Sequence, residues 1–167
     1  MRIYVPATLS MLRTLVKTGE LAPINGTAFA LTPALRESYA TGEAEELEYA
    51  AMADAGRASL RLLATELDTD PEAFPRRVVI AADVDDVTLR PDLDFAVVRL
   101  AGPVTLAEVA AAHVDNEAAE RAVRTASAMI EAADLGDPDA DFAVGDAEDH
   151  ELAWYATQEL PFLLDLM

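Results

Sequence analysis

The sequence predicts an α+β fold with a mixed, mostly antiparallel sheet and helices packed mainly on one face. Short runs rich in β-branched residues, such as Val78-Val79-Ile80, indicate strands, and stretches with apolar residues at helical spacing separate several of them. Their order, β-α-β-α-β-β-(β)-α-β-β-α, lacks the strict alternation of a doubly wound parallel sheet. A chain of 167 residues is long enough to bury one core, so we expect a single domain over residues 1–167.

The first half of the chain contains clear helix signals. Thr8 and Gly19 are residue types that begin and end helices, and Thr32-Pro33 begins a second helix. The acidic run over residues 45–49 is most simply the start of a long helix, where carboxylates favour the positive end of the helix dipole, and its alternative use is a ligand site. The predicted elements are a strand over 2–6, a helix from Thr8 to Gly19, a strand over 27–31, a short helix over 33–40, a long helix over 43–66 and a strand over 76–82.

The second half contains one ambiguous segment. Residues 110–115 fit a short strand, which we favour, or the middle of one continuous helix over 105–133. Residues 83–93 are acidic and are interrupted by Pro91, and no element is assigned to them. The other predicted elements are a strand over 95–100, a helical turn over 105–109, a helix over 116–133, an edge strand over 142–144, an extended segment over 152–156 and a terminal turn over 160–166, capped by Thr157.

Charge and composition argue against several classes of function. Nucleic acids and anionic membranes bind proteins through clustered Lys and Arg, so a chain with a net charge of −19 is not expected to bind either. The absence of Cys excludes disulfides, thiolate metal ligands and Cys nucleophiles. The longest charge-free run, residues 21–35, contains two Pro and is too short for a membrane span. The first residues do not resemble a secretory signal, and we expect a cytoplasmic protein.

Residues 146–155 hold the densest group of chemically useful side chains, with four carboxylates, one His and the only Trp. The candidate binding residues in this segment are Asp149, His150, Trp154 and Tyr155, and the candidate acid–base catalysts are Glu148 and Glu151. In the simpler interpretation, the segment is a solvated acidic loop that enters an edge strand, with Trp154 and Tyr155 anchored in the core.

A second candidate pair is His113 with Asp115. On a strand, residues two apart face the same way, so the imidazole and the carboxylate would point to a common ligand. If Asp149 and His150 came close to them, the four side chains would suit Zn, Mn or Fe. In the simpler interpretation, His113 hydrogen-bonds to the backbone and Asp115 caps the next helix. No metal or other cofactor is then required.

Five segments together resemble a family of small uncharacterised proteins from high-GC Gram-positive bacteria. They are residues 2–8, 32–36, 45–49, 76–83 and 147–155, and the likeness extends over nearly the whole chain. The resemblance implies a cytoplasmic protein that forms one stand-alone domain. It implies no activity, cofactor or catalytic residue.

The function is unknown at this point, and the features above favour a small acidic binding or interaction protein without catalytic activity. Its expected partner is a second copy of the chain or another protein. The alternative is a metal-assisted hydrolase in which His113, Asp115, Asp149 and His150 hold the metal ion and Glu148 or Glu151 is the base. A third class, an acidic partner of a basic protein, depends on the net charge alone.

Overall fold

The computed structural model describes residues 1–39 and 41–167, which form six α-helices and nine strands. The helices are α1 (Leu9–Thr18), α2 (Pro33–Ser38), α3 (Ala44–Thr69), α4 (Glu120–Asp134), α5 (Pro138–Glu148) and α6 (Leu160–Asp165). The strands are β1 (Arg2–Ala7), β2 (Glu20–Leu21), β3 (Thr27–Phe29), β4 (Val78–Asp83), β5 (Val87–Leu89), β6 (Val97–Leu100), β7 (Val104–Thr105), β8 (Val109–Val114) and β9 (Ala153–Ala156). Ala40, the predicted last residue of the second helix, lies outside the described residues.

Seven strands form one sheet in the order β5-β6-β3-β1-β4-β8-β9, and β2 pairs with β7 separately. Every strand pairing among the described residues is antiparallel. β1 lies at the centre of the large sheet, between β3 and β4. The predicted α+β class with a mostly antiparallel sheet is confirmed.

The two faces of the sheet are covered by different helices, because successive strand residues point to opposite sides. Ile3 and Val5 of β1 belong to an apolar cluster that includes residues of α1 and α6. Tyr4 points the other way and packs in a cluster with residues of α2 and α3. The C-terminal half of α3 then packs against α4 and α5 in a third cluster. Most of the helices therefore lie on the α3 side, as predicted.

Several predicted helix ends are found in the structure. The Thr8 side chain accepts a hydrogen bond from the Met11 amide and caps α1, and Gly19 ends it in the left-handed region at φ 87°. Thr32 caps α2 in the same way, with Pro33 at the first helical position. The long helix α3 ends at Thr69, three residues later than the pattern predicts.

Residues 110–115 are extended, so the continuous helix over 105–133 is wrong. Thr105 and Glu108 form a capping box around a single 3-10 turn, and β8 follows it directly. β8 then pairs on both sides, with β4 and with β9. These two strand ladders satisfy the backbone hydrogen bonds that a helix would otherwise supply.

Two other predictions are wrong, and one strand was not predicted. Residues 142–144 lie within α5 rather than in an edge strand. Residues 83–93 contain a short strand, β5, which is the outermost strand beside β6. Thr157 does not cap the terminal helix, because its hydroxyl donates to the Val109 carbonyl. The β5 edge of the sheet was therefore not predicted, whereas the β9 edge matches the extended segment predicted over 152–156.

The side chain of Ser59 joins α3 to the centre of the sheet. Its buried hydroxyl donates to the Ala7 carbonyl at 2.7 Å and accepts from the Val78 amide at 3.1 Å. This contact fixes the helix over the ends of β1 and β4, which positions the N-terminal half of α3 above the sheet. None of the helices in the described parts of the chain has the length and apolar character needed to cross a bilayer.

Candidate functional site

A buried ion pair between Arg77 and Asp115 forms the base of the candidate site. Asp115 accepts two hydrogen bonds from the Arg77 guanidinium, each 2.8 Å long, and a third from the Arg77 amide at 2.7 Å. The Asp115 side chain is fully buried and that of Arg77 is 5% exposed. Arg77 also donates to the His150 carbonyl at 2.7 Å. The pair therefore ties the start of β4, the end of β8 and the segment before β9 together.

The Arg77–Asp115 pair bears on the alternative metal site. Both carboxylate oxygens of Asp115 accept hydrogen bonds from Arg77, and Asn116 rather than Asp115 occupies the cap position of the next helical turn. Asp149 is exposed at the C-terminal end of α5. Among residues 1–39 and 41–167, no group of three or more His, Asp or Glu side chains is arranged to hold a metal ion. Among these described residues, His113, Asp115, Asp149 and His150 are therefore not assembled into a metal site.

A groove runs between α3 and the sheet, and we call it the α3 groove. It consists of two neighbouring cavities of about 270 Å³ each, which share Tyr49 and Met52 of α3. The first cavity is also lined by Arg2, Tyr4, Glu45, Glu48, Ala81, Ala111, His113 and Trp154. The second is also lined by Ala53, Gly56, Arg77, Glu148, His150, Glu151 and Leu152.

One face of α3 forms the length of this groove. Glu45, Glu48, Met52 and Gly56 recur at intervals of three or four residues, which places them on one side of the helix. Gly56 leaves space above the guanidinium of Arg77, since a Cβ atom at this position would lie 3.9 Å from Nη1. The missing side chain thereby deepens the second cavity.

Trp154 forms the outer wall of the first cavity. It lies directly opposite His113 across the β8–β9 pair, so both side chains are on the α3 side of the sheet. Trp154 is nevertheless 60% exposed. Tyr155 points to the opposite face and packs against the core there. The two aromatic residues are thus separated by the sheet, and only Trp154 belongs to the groove.

His113 is half-buried in the first cavity. Burial, and to a smaller extent the positive charge of Arg2, lowers the pKa of His113 below its ordinary value. The imidazole is therefore neutral at pH 7, with one nitrogen that donates a hydrogen bond and one that accepts. It can orient a polar ligand but contributes no positive charge to the groove.

Tyr4 is the second polar group on the floor of this cavity. Burial raises the pKa of Tyr4, and the nearby Glu48 carboxylate raises it further. The hydroxyl therefore stays protonated. Arg2, beside it, donates to both carboxylate oxygens of Asp83, at 2.8 and 3.1 Å.

The structure gathers five of the sequence-predicted residues in the groove and excludes three. Those that line it are His113, Glu148, His150, Glu151 and Trp154. Those outside the lining are Asp115, Asp149 and Tyr155. Sequence reasoning missed Arg2, Tyr4 and Met52 as groove residues. For Met52 a signal was present, since it falls on the same helical stripe as Gly56 and the acidic start of α3.

Comparison with known proteins gives a family but no activity. Neither the curated proteins nor the solved structures that were searched include a match to this chain. A family model described as a family of unknown function, DUF6912, matches residues 1–164. The match extends over nearly all of the chain, including every element that lines the α3 groove. The chain therefore belongs to DUF6912, a family of unknown function.

Proposed function

We propose that this protein is a non-catalytic binding protein whose ligand occupies the α3 groove. The exposure of Trp154 carries the proposal. Large aromatic side chains are usually well buried in folded domains, yet the only Trp of this chain is 60% exposed at the wall of a cavity. Exposed Trp and Tyr residues beside a concave surface are typical of binding sites, because they add large contact areas at a small entropy cost.

The other walls of the groove support the same function. Tyr49 is 57% exposed on the α3 side of the cavity, and Met52 lies between the two cavities. Ligand sites commonly combine such apolar walls with a few polar groups that fix orientation. Here the neutral imidazole of His113 and the protonated hydroxyl of Tyr4 are available for that purpose.

The test is a small-molecule fragment screen observed by NMR on isotopically labelled protein. We expect fragments to shift the backbone amides of β8, β9 and the N-terminal half of α3. Another cavity, more apolar and outside the α3 groove, has a volume of about 240 Å³. It lies between α2 and the β5–β6 hairpin, beside Pro91 and Phe95. Fragments that shift only the amides around that cavity, or none at all, would overturn the proposal.

Two matched variants then separate binding in the groove from general surface binding. Trp154→Ala removes the groove wall, whereas Phe162→Ala removes another aromatic side chain, 71% exposed on α6 and outside the groove. Fragments should lose affinity about tenfold in the first variant and less than twofold in the second. Circular dichroism melting curves of both variants show whether the fold is retained. Equal losses in two folded variants would contradict a site at Trp154.

A further inference from the structure

The α3 groove is acidic at both ends and apolar in the middle, and this pattern indicates a class of ligand. Glu45 and Glu48 line the first cavity, and Glu148 and Glu151 line the second. Tyr49 and Met52 separate the two acidic ends. The inference that follows depends on the proposed binding function of this groove and names the chemistry of its ligand.

The cations in the lining do not cancel these charges. Arg2 is paired with Asp83 and Arg77 with Asp115, each through two guanidinium–carboxylate hydrogen bonds. Across the described part of the chain, no Lys or Arg lies within 4.0 Å of the carboxylates of Glu45, Glu48 or Glu151. These three carboxylates therefore remain available to a positively charged ligand.

Glu148 has a cation beside it, but that cation is shared. Arg57 lies 3.3 Å from Glu148, 3.4 Å from Asp134 and 3.9 Å from Asp141. Arg61 forms a closer pair with Asp134, at 2.8 Å. Two Arg side chains thus face three carboxylates at this end, with Glu151 as a fourth nearby in the groove. The second end of the groove stays negative.

The aromatic walls favour the same ligand charge. A cation close to the face of a Trp or Tyr ring is attracted by the electrons of the ring. Trp154 and Tyr49 are both exposed in the first cavity, where Glu45 and Glu48 are the free charges. The net charge of −19 adds a long-range field that attracts cations to the protein as a whole.

We propose that the ligand of the α3 groove is a linear aliphatic diamine or polyamine. One ammonium group would lie between Trp154, Tyr49 and the carboxylates of Glu45 and Glu48. The methylene chain would cross Met52, and a second ammonium group would reach Glu151. The lining of α3 from Glu45 to Gly56 covers about three turns, or ~16 Å of helix axis, which suits an extended chain rather than a compact cation.

The first experiment is a calorimetric titration with a series of α,ω-diaminoalkanes from four to twelve carbons, beside the n-alkylamine of each length. Fluorescence of Trp154, the only Trp, gives an independent signal from the groove. We expect the best diamine to bind at least about fivefold more tightly than its monoamine, because it engages both acidic ends. If each diamine and its monoamine have equal affinities at every length, the proposal that the ligand contacts both acidic ends is overturned. If a lysine-glycine-glycine-lysine peptide binds more tightly than any diamine, the proposal that the ligand is a free amine is overturned.

Charge variants distinguish diamine binding in the groove from attraction by the net negative charge of the whole protein. Glu45→Gln/Glu48→Gln removes two charges from the groove, and Glu117→Gln/Glu131→Gln removes two exposed charges elsewhere. The first double variant should weaken diamine binding about tenfold and the second less than twofold. Equal weakening by both would show a diffuse polyanion effect and overturn the proposal.

Gly56→Ala tests the second cavity without loss of folding. The added methyl group makes only ordinary contact with Arg77 and suits a helix, so the variant should be at least as stable as the wild type. The variant should weaken binding of the diamine more than binding of the monoamine. Equal effects on both would overturn the placement of the second ammonium group in the second cavity. If no amine binds while fragments still map to the groove, the amine proposal fails and the binding function stands. If neither binds, both fail.

Discussion

At the scale of single residues, the Arg77–Asp115 pair is an ion pair held in the interior of the fold. Three hydrogen bonds converge on one carboxylate that is fully buried. A buried charge that loses its partner is costly, because neither water nor another group replaces it. Removal of only one partner should therefore destabilise the folded protein.

We expect Asp115→Ala to lower the free energy of unfolding by about 3–5 kcal/mol, since it leaves the guanidinium of Arg77 buried without its counter-ion. The double variant Arg77→Met/Asp115→Ala removes both charges and should lose less than the single variant. Urea denaturation monitored by circular dichroism measures both values. A double variant that is less stable than Asp115→Ala would show that Arg77 stabilises the fold mainly through its other contacts.

His113 gives a prediction for the pH dependence of stability. Its pKa in the folded protein lies below the ordinary value of 6.5, owing first to burial and then to Arg2. Between the two pKa values the unfolded chain binds more protons than the folded protein. The titration of His113 therefore leaves the free energy of unfolding unchanged above pH 6.5. It lowers that free energy as the pH falls from 6.5 through the folded-state pKa.

The measurement is the free energy of unfolding from pH 7.5 to 5.0 for the wild type and for His113→Gln. Groups common to both proteins cancel in the difference. We expect the wild type to lose stability relative to the variant as the pH falls below 6.5. A difference that stays constant with pH would mean that His113 titrates normally in the folded state.

At the scale of elements, α5 shows how a local signal was overlooked. Asp137-Pro138 is a helix start, with a capping carboxylate before Pro at the first helical position. Asp137 accepts hydrogen bonds from the amides of Asp139 and Ala140, at 2.9 and 3.2 Å. Gly136 follows the end of α4 and Asp137-Pro138 begins α5, so the start signal lies just before the segment that was predicted as an edge strand.

Asp137→Ala should lower the free energy of unfolding by about 1 kcal/mol, because two amides at the start of α5 lose their acceptor. Hydrogen exchange should increase in the first turn of α5 more than in α4. Asp137→Asn is the matched control, since Asn caps helices about as well as Asp. If Asn and Ala substitutions cost the same, the negative charge rather than the cap would be the stabilising feature.

At the scale of the whole molecule, the net charge of −19 works against folding. Like charges repel more strongly in the compact state than in the extended chain, and salt screens that repulsion. The surface ion pairs, such as Arg90–Asp92 and Arg2–Asp83, are also weakened by salt, but such pairs contribute little. Relief of repulsion should therefore be the larger effect.

We expect the free energy of unfolding to rise by on the order of 1 kcal/mol between 20 and 500 mM NaCl. Glu117→Gln/Glu131→Gln carries two fewer negative charges, so it should gain less from salt than the wild type. Urea denaturation at both salt concentrations measures this. A fall in stability with salt would mean that the ion pairs outweigh the repulsion.

The sequence predicted those parts of the fold that local chemistry specifies. Thr8, Gly19 and Thr32-Pro33 mark helix ends because their side chains or conformations act within a few residues, and the capping box at Thr105 and Glu108 does the same. The central strands followed from β-branched runs. The edge strand β5 and the helix α5 did not, because a three-residue strand and an alanine-rich helix carry weak periodicity.

The candidate site was predictable only in its residue types. The sequence by itself determined that carboxylates, two His and one Trp were the available chemistry, and that residues 146–155 concentrate much of it. Only the tertiary structure decided that both carboxylate oxygens of Asp115 accept hydrogen bonds from Arg77 and that Tyr155 faces away from the groove. It also decided that Trp154 meets His113 and α3 across a groove. Those relations join residues more than thirty positions apart, and strand pairing and helix packing set such distances rather than any local preference of the chain.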